Sequence, residues 1–459
     1  MSILPPDPKQ ARCFRFLDCG YDPQTGEARL VYCFDEGPEL VERISFPHAP
    51  WPPEASRQAA FYRALEILHL LAGVSYYKAG LPPRIEVKNT RAIEGISEFL
   101  NELYIKGLGE LGYVNQLDIA DRVHFPNYAA DGSEAREPSR SLILPERALV
   151  AMGGGKDSLV GLNLLRQAGL DVMPVCVGGS ALIEDTVRAA GLPLIRIGRR
   201  LAPELAEMNR AGAWNGHVPV TAINSAILLC ASILYGFRYI VFSNERSADE
   251  ATLVTDDGVE VNHQYSKSSE FEAAFRNVIA TRVSPQIEYF SVLRQHSELG
   301  IVQRFSAMKK FHSVYSSCNR NFHLDGPRVE NRWCCDCPKC RFAALSMALF
   351  LSPDEVIAIQ GADLLNDPAQ QDGFRELCGL GRDKPFECVG EAGESRAAMA
   401  ALGADRGWSG HVVVRTLADE LARVEIPALD KLLQPAGRHF IPPDLAARLT
   451  GTEASSADS

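Results

Sequence analysis

The sequence predicts an α/β protein with a Rossmann-like parallel sheet at its centre, an N-terminal α+β region before it and a C-terminal helical region after it. Three observations carry this prediction. From about residue 142, short apolar runs alternate with helical patterns: ALVAM, then DSLVGLNLLRQAG, DVMPVCV, ALIEDTVRAAG and LPLIRIG. Such alternation is the mark of βαβ units and a parallel sheet. Gly169 and Gly191 fall where helix stops are expected. A glycine-rich loop, "GGGKDS" at 153–158, separates the first strand from the first helix, and ligands of such sheets bind at the carboxyl ends of strands.

Before this core, CFRFLDCG and ARLVYCF flank the turn-like DPQTG and predict a hairpin within residues 1 to about 50. SRQAAFYRALEILHLLAGVSYY spaces its apolar residues as a helix, and 84–125 reads as further helical or α/β structure. The polar run AADGSEAREPSRS (129–141) reads as a linker. The chain therefore divides into an N-terminal α+β region (1–140), a central α/β region with the glycine loop and a cysteine cluster (141–350) and a mostly helical C-terminal region (351–459) whose tail, TGTEASSADS, has a disordered composition. Within the core, TAINSAILLCASILYGF (221–237) is interrupted by Asn224, Ser225 and Ser232 and falls short of the roughly 20 residues of a membrane span. It is read as a buried helix leading into the strand FRYIVFS (237–243).

Composition narrows the partners. Lys and Arg total 47 against 58 Asp and Glu, a formal charge of −11, which opposes nonspecific binding to nucleic acid or an anionic membrane. The start, MSILPPDPKQARCFRFLDCG, lacks the apolar core of a signal peptide, so a cytoplasmic protein is expected. Nothing in the sequence fixes the oligomeric state.

The glycine loop is a candidate anion site, because the first-turn N–H groups of a helix lack partners and its dipole favours negative charge. The Walker pattern requires Gly at Val150 and Ser or Thr at Asp157, and the dinucleotide fingerprint requires Gly at Ser158, so both fail. GGGKDS instead resembles the SGGKDS loop of the PP-loop ATP pyrophosphatases, with Gly153 in place of the usual Ser. That resemblance implies the adenine nucleotide alpha-hydrolase type of sheet and cleavage of ATP to AMP and pyrophosphate. It further implies β- and γ-phosphate contacts from Gly153, Gly154, Gly155, Lys156 and Ser158, with Asp157 supporting the loop or a Mg2+ ion. Adenine would lie against Val175–Val177. The plain alternative is a tight glycine turn without a ligand.

Of twelve cysteines, Cys334, Cys335, Cys337 and Cys340 crowd into seven residues, with Cys318 upstream. Cys318, Cys334, Cys337 and Cys340 suit a closed tetrahedral zinc site. The run resembles the zinc site of 7-cyano-7-deazaguanine synthase, with Cys335 in a glycine position, which leaves the fourth ligand ambiguous. An iron-sulfur cluster is the rival, although the next Cys of that pattern would fall on Ala344.

Three polar clusters complete the candidate site. WNGHVPVTA brings His217 before a buried helix; FSNERSADEATL puts Asn244, Glu245, Arg246 and Ser247 after a strand; VNHQYSKSSEFE adds Asn262, His263, Tyr265 and Lys267. Arg246 and Lys267 are candidates to offset substrate carboxylate and diphosphate charge. Lys156 is a catalytic candidate, and His217, His263 and Glu245 are proton-transfer candidates. A Glu245–Arg246 ion pair is the plain alternative.

Taken in order, GGGKDS, NGHVPVTA, SNERSADE, VNHQYSKS and RWCCDCPKC resemble the MurL family of UDP-N-acetyl-α-D-muramoyl-L-alanyl-L-glutamate epimerases. The resemblance implies ATP as co-substrate, Mg2+, a UDP-MurNAc-dipeptide substrate and a place in peptidoglycan biosynthesis, with Arg199 or Arg200 as further anion contacts. Other PP-loop adenylating enzymes and a non-catalytic ATP-binding module are the alternatives.

Overall fold

A computed structural model describes residues 7–127, 137–250, 253–254, 260–321, 329, 332–381, 387 and 389–457. The linker expected over 129–141 falls mostly outside the described residues. The hairpin forms as β1 (Cys13–Asp22) and β2 (Glu27–Phe34), pairing Asp22 with Glu27 across the turn, and β3 (Leu40–Ser45) extends it antiparallel. Gly26 takes φ +69° there, and a Cβ at that position would sit 2.6 Å from the Phe46 carbonyl oxygen, so both conformation and space require glycine. The predicted long helix spans Ala55–Ala72 and a further turn Val74–Tyr77, and β4 (Arg84–Val87) then lies parallel to β1.

The parallel strands follow: β5 (Arg147–Ala151), β6 (Asp171–Val177), β7 (Ile195–Arg200) and β8 (Tyr239–Phe242). Gly169 and Gly191 stop the intervening helices with φ +72° and +71°, as their spacing predicts. A short ribbon of β9 (Leu253–Val254) and β10 (Glu260–Val261) precedes β11 (Glu288–Ser291). The main sheet runs β11-β8-β5-β6-β7-β3-β2-β1-β4. Its β11–β7 part is parallel, and β7 joins the N-terminal hairpin strands by antiparallel pairing with β3. The mixed α/β architecture expected from the sequence is therefore present, and one sheet runs through both the N-terminal and the central residues.

That junction is reinforced from inside. Arg199 donates to the fully buried Glu42 (2.7 Å) and to Ser75 Oγ (2.9 Å). The expectation that Arg199 binds substrate is thus corrected: its guanidinium is spent on a carboxylate that would otherwise be buried without compensation. Arg200 stays exposed, 3.9 Å from Glu27.

Alternation along the central strands feeds two apolar cores. Ala148 and Val150 of β5, with Tyr239 and Val241 of β8, enter the core that contains the helix Lys156–Gln167 and the C-terminal helices. Leu149, Ile240 and Phe242 point to the other core, with the helix Val220–Tyr235, as a period of two requires. That helix is buried on nearly every side, and among the described residues no helix is long and apolar enough to cross a membrane. In the C-terminal region, Ser352 and Glu355 form a capping box for Pro353–Gln360, which Gly361 ends at φ +84°. The last helix, Pro443–Ala457, extends into the stretch whose composition predicts disorder.

Candidate active site

Topology decides where ligands meet this sheet. The chain moves outward from β5 through β6 to β7, then returns to place β8 and β11 on the other side of β5. Connections from β5 and β8 leave in opposite directions, opening a crevice at the carboxyl ends of these two strands. The loops that follow the neighbouring strands β5, β8 and β11 carry the glycines, the SNERS residues and the segment 292–298.

At the first loop, Gly154 adopts φ +78°, and a Cβ there would lie 3.1 Å from Leu182. Gly153 has neither restriction, so the absence of a serine at 153 has no steric cause. Gly155 caps the helix Lys156–Gln167. Ser158 Oγ donates to the Gly155 carbonyl (3.1 Å). Lys156 is buried, and its ammonium donates to Asp157 (2.6 Å) and to Glu298 on the helix Glu298–Ser306. Burial alone would lower the Lys156 ammonium, but Asp157 and Glu298 outweigh it and the pKa rises. Burial pushes the Glu298 carboxyl up to about 8; Lys156 opposes the shift, while Asp157 and Glu245 add to it. One cation therefore sits among carboxylates from three loops.

The second and third loops are joined by a buried guanidinium. Arg294, 2% exposed, donates to Glu272 through Nε (3.0 Å) and a terminal nitrogen (2.7 Å), to the Glu245 carbonyl (3.1 Å) and to the Lys267 carbonyl (2.6 Å). Glu272 also accepts from the Ser291 N–H (2.9 Å), and Ser291 Oγ donates to the Asn244 carbonyl (2.6 Å). Arg246 donates its backbone N–H to the His296 carbonyl (3.0 Å). Its charge helps hold the His296 imidazole down near 4, behind burial and Arg304, and helps lower the buried Glu394 carboxyl, which burial raises overall.

Beyond Lys267 lies a histidine pair. The rings of His217 and His263 are 6.3 Å apart and nearly perpendicular, and His217 Nδ1 is 3.9 Å from Glu110. Burial, then the charges of His263 and Lys267, lower His217 to about 4, so it is a neutral imidazole at neutral pH. Asn215, in the same loop, accepts a hydrogen bond from the buried Lys78, whose ammonium burial lowers to about 8.

The predicted residues thus divide. Lys156, Asp157 and Glu245 share one electrostatic neighbourhood, as do His217, His263 and Lys267, and Arg294 bonds the backbone of both. Asn262 bridges the Ala248 carbonyl (2.9 Å) and the Gln264 N–H (2.7 Å), and Tyr265 is buried against Phe271, 6.2 Å between centroids. These two side chains fasten loops. Ser247 is buried in a 3-10 turn. Sequence reasoning missed Glu298, Arg294, Glu272 and Glu110. The charged RQHSE that follows the apolar YFSVL is the one sequence signal for them, and it gains meaning only once β11 is in place.

The sulfurs of Cys318, Cys334, Cys337 and Cys340 all lie within 4.8 Å of one another, with 3.8 Å from Cys334 to Cys340 and 3.5 Å from Cys337 to Cys340. Zn–S bonds of about 2.3 Å in a tetrahedron imply sulfur–sulfur edges of about 3.8 Å, so the donor set fits zinc. Cys335 adopts φ +56°, the conformation a glycine would take, and its thiol turns to the Gln360 carbonyl (3.4 Å). Cys318, not Cys335, is thus the thiol that gathers with Cys334, Cys337 and Cys340. This cluster borders the glycine loop: a Cβ on Gly155 would lie 3.8 Å from Ser317 Oγ, and Ser316 Oγ accepts from the Cys318 N–H (3.0 Å).

Two family models match, the MurL N-terminal domain over residues 6–292 and the MurL C-terminal domain over 314–431. The chain is 44% identical over 446 residues to the UDP-N-acetyl-alpha-D-muramoyl-L-alanyl-L-glutamate epimerase of Xanthomonas oryzae pv. oryzae, covering 96% of this chain and 98% of that protein. Epimerases of the same name from Salinispora tropica and a Micromonospora species are each 40% identical, over 94% and 95% of this chain and 93% and 97% of theirs.

The raised Glu298 carboxyl predicts a pH effect. An unfolded Glu ionises near about 4.3, whereas the folded carboxyl holds its proton to about 8. Between those values the folded state binds more protons, so stability falls as pH rises. Glu298→Gln removes this pH-dependent loss, so the Tm of the variant relative to that of wild type should rise from pH 5 to pH 8. A Tm difference that stays flat with pH would contradict the assignment.

Proposed function

The chain belongs to the MurL family, and on that premise we propose that it is an ATP-dependent epimerase that converts the terminal L-Glu of UDP-MurNAc-L-Ala-L-Glu to D-Glu in peptidoglycan biosynthesis. The observation that carries the chemistry is the buried Lys156 among carboxylates at the start of the glycine-loop helix. Inverting a carbon beside a free carboxylate is slow because the carbanion would form next to an existing negative charge. Adenylation removes that charge.

In this reading a substrate carboxylate oxygen attacks the α-phosphorus of ATP, the bond to the bridging oxygen breaks, and pyrophosphate departs into the glycine loop. The N–H groups of residues 153–158 and the helix dipole receive it. Lys156 exchanges Glu298 for a phosphate oxygen, and Ser158 exchanges the Gly155 carbonyl. Mg2+, held through Asp157, would neutralise charge on the departing phosphates. The second cluster acts on the activated substrate. The neutral His217 removes the Cα proton, and His263 returns one to the opposite face. Arg246 and Lys267 offset substrate anions, Arg246 with the planar fork suited to carboxylate and phosphate. Asn244 and Ser247 line the approach to Arg246. Hydrolysis then releases AMP and the inverted product.

The test is to incubate the protein with ATP, Mg2+ and the UDP-linked L-Ala-L-Glu substrate, then measure AMP, pyrophosphate and glutamate chirality. The expected result is AMP, pyrophosphate and D-Glu, with Lys156→Ala lowering turnover by about two orders of magnitude or more. Production of ADP, or ATP consumption with unchanged L-Glu, would end the epimerase reading.

For the cysteines we propose a structural zinc held by Cys318, Cys334, Cys337 and Cys340. Bound there, zinc would fix the 316–321 segment beside the glycine loop. Metal analysis should find about one zinc per chain, lost in Cys318→Ser and retained in Cys335→Ser. Iron in place of zinc, or loss of metal in Cys335→Ser, would refute the ligand set.

A further inference from the structure

We propose that Arg294 is a positioning residue that couples carboxylate activation to proton transfer. The inference rests on the epimerase reading above. Adenylation and inversion act on the same glutamyl residue, one at its carboxylate and one at the adjacent Cα, so the groups that serve them need a fixed separation. In this fold they come from different loops. Glu245 acts on Glu298, the partner of the glycine-loop Lys156, and Lys267 acts on His217. Both residues give their backbone carbonyl to one guanidinium, at 3.1 Å and 2.6 Å.

Arg294 is itself held rigid. Its ion pair with Glu272 is 2.7 Å long, with the two side chains 1% and 2% exposed. Glu272 is anchored in turn by the Ser291 N–H at the end of β11. Burial raises the Glu272 carboxyl even with the guanidinium beside it, which reflects the cost of keeping such a pair in the interior. What this pair adds beyond a hydrophobic replacement is geometry: a planar fork reaches a carboxylate and two carbonyls in fixed directions. A lysine presents its donors from a single atom and cannot span all three.

The test uses the full-length protein with ATP, Mg2+ and UDP-MurNAc-L-Ala-L-Glu, comparing AMP released with glutamate inverted. Wild type sets the reference ratio. Arg294→Lys keeps the charge opposite Glu272 but loses at least one carbonyl bond. It should form AMP within about threefold of wild type, while inversion per AMP falls by about tenfold or more, the scale of loss from a displacement below 1 Å. Glu272→Gln, which has one acceptor oxygen for the two contacts that the carboxylate makes, with the Ser291 N–H and with the guanidinium, should lower the same ratio while Arg294 itself is kept. A parallel fall of AMP and inversion, or an unchanged ratio, in a folded Arg294→Lys protein would overturn the proposal. Should that variant fail to fold, an unchanged ratio in Glu272→Gln overturns it instead. Wild type that makes no AMP would remove the epimerase reading itself, and this inference with it.

Discussion

An ion pair sealed inside the protein, Arg294 with Glu272, is the contact on which the ligand end of the sheet depends. Three segments that are far apart in sequence converge on it: the turn after β8, the run that ends in Lys267, and the start of the loop after β11. Isolated buried pairs contribute little net stability, because the desolvation of both ions roughly cancels their attraction. Here the remaining donors meet backbone carbonyls, so the guanidinium's hydrogen-bonding capacity is used and the surrounding loops acquire one geometry. Side chains presented from those loops inherit that order, which is what the proposed reaction, with its two chemical subsites, requires.

Charge at the glycine loop has a second consequence. Lys156 faces Asp157 and Glu298, with Glu245 near enough to raise the Glu298 carboxyl further. A polyphosphate approaching this loop meets more negative than positive charge. Its binding must therefore be accompanied by a cation or by protonation, and the upward shift of Glu298 makes protonation cheap. The same contacts already hold the buried Lys156 ammonium in place, so little side-chain ordering would remain to be done on binding.

Local features were legible in the sequence, and contacts between distant segments were not. The strands and helices from β5 to β7 announce themselves through glycine stops and apolar periodicity, which act over a few residues. The glycine loop is legible for the same reason. Strand order is not: nothing between 141 and 245 states that β8 returns to the far side of β5, and that return sets the glycine loop beside SNERS. Glu298 is 142 residues from Lys156 in sequence, and no pattern links them. Arg199, by contrast, looked like an anion contact because a cation at a strand end is ambiguous until its partner, Glu42 on an antiparallel strand, is seen. Asn262 and Tyr265 are ambiguous for a related reason: polar side chains in a dense loop fasten the loop as readily as they face a ligand. Cys335 resolves in the same way, since only its positive φ shows that it fills a glycine position while Cys318 completes the cluster.

In the proposed reaction, ATP cleavage at the glycine loop and proton transfer at the histidine pair are coupled. The most direct measurement is deuterium entry at the glutamyl Cα in D2O, with the UDP-linked substrate and with ATP present, absent or replaced by an analogue that cannot be cleaved between the α- and β-phosphates. Deuterium is expected in the product only when ATP is cleaved to AMP and pyrophosphate. Deuterium that enters without ATP, or with the uncleavable analogue, would contradict the coupling.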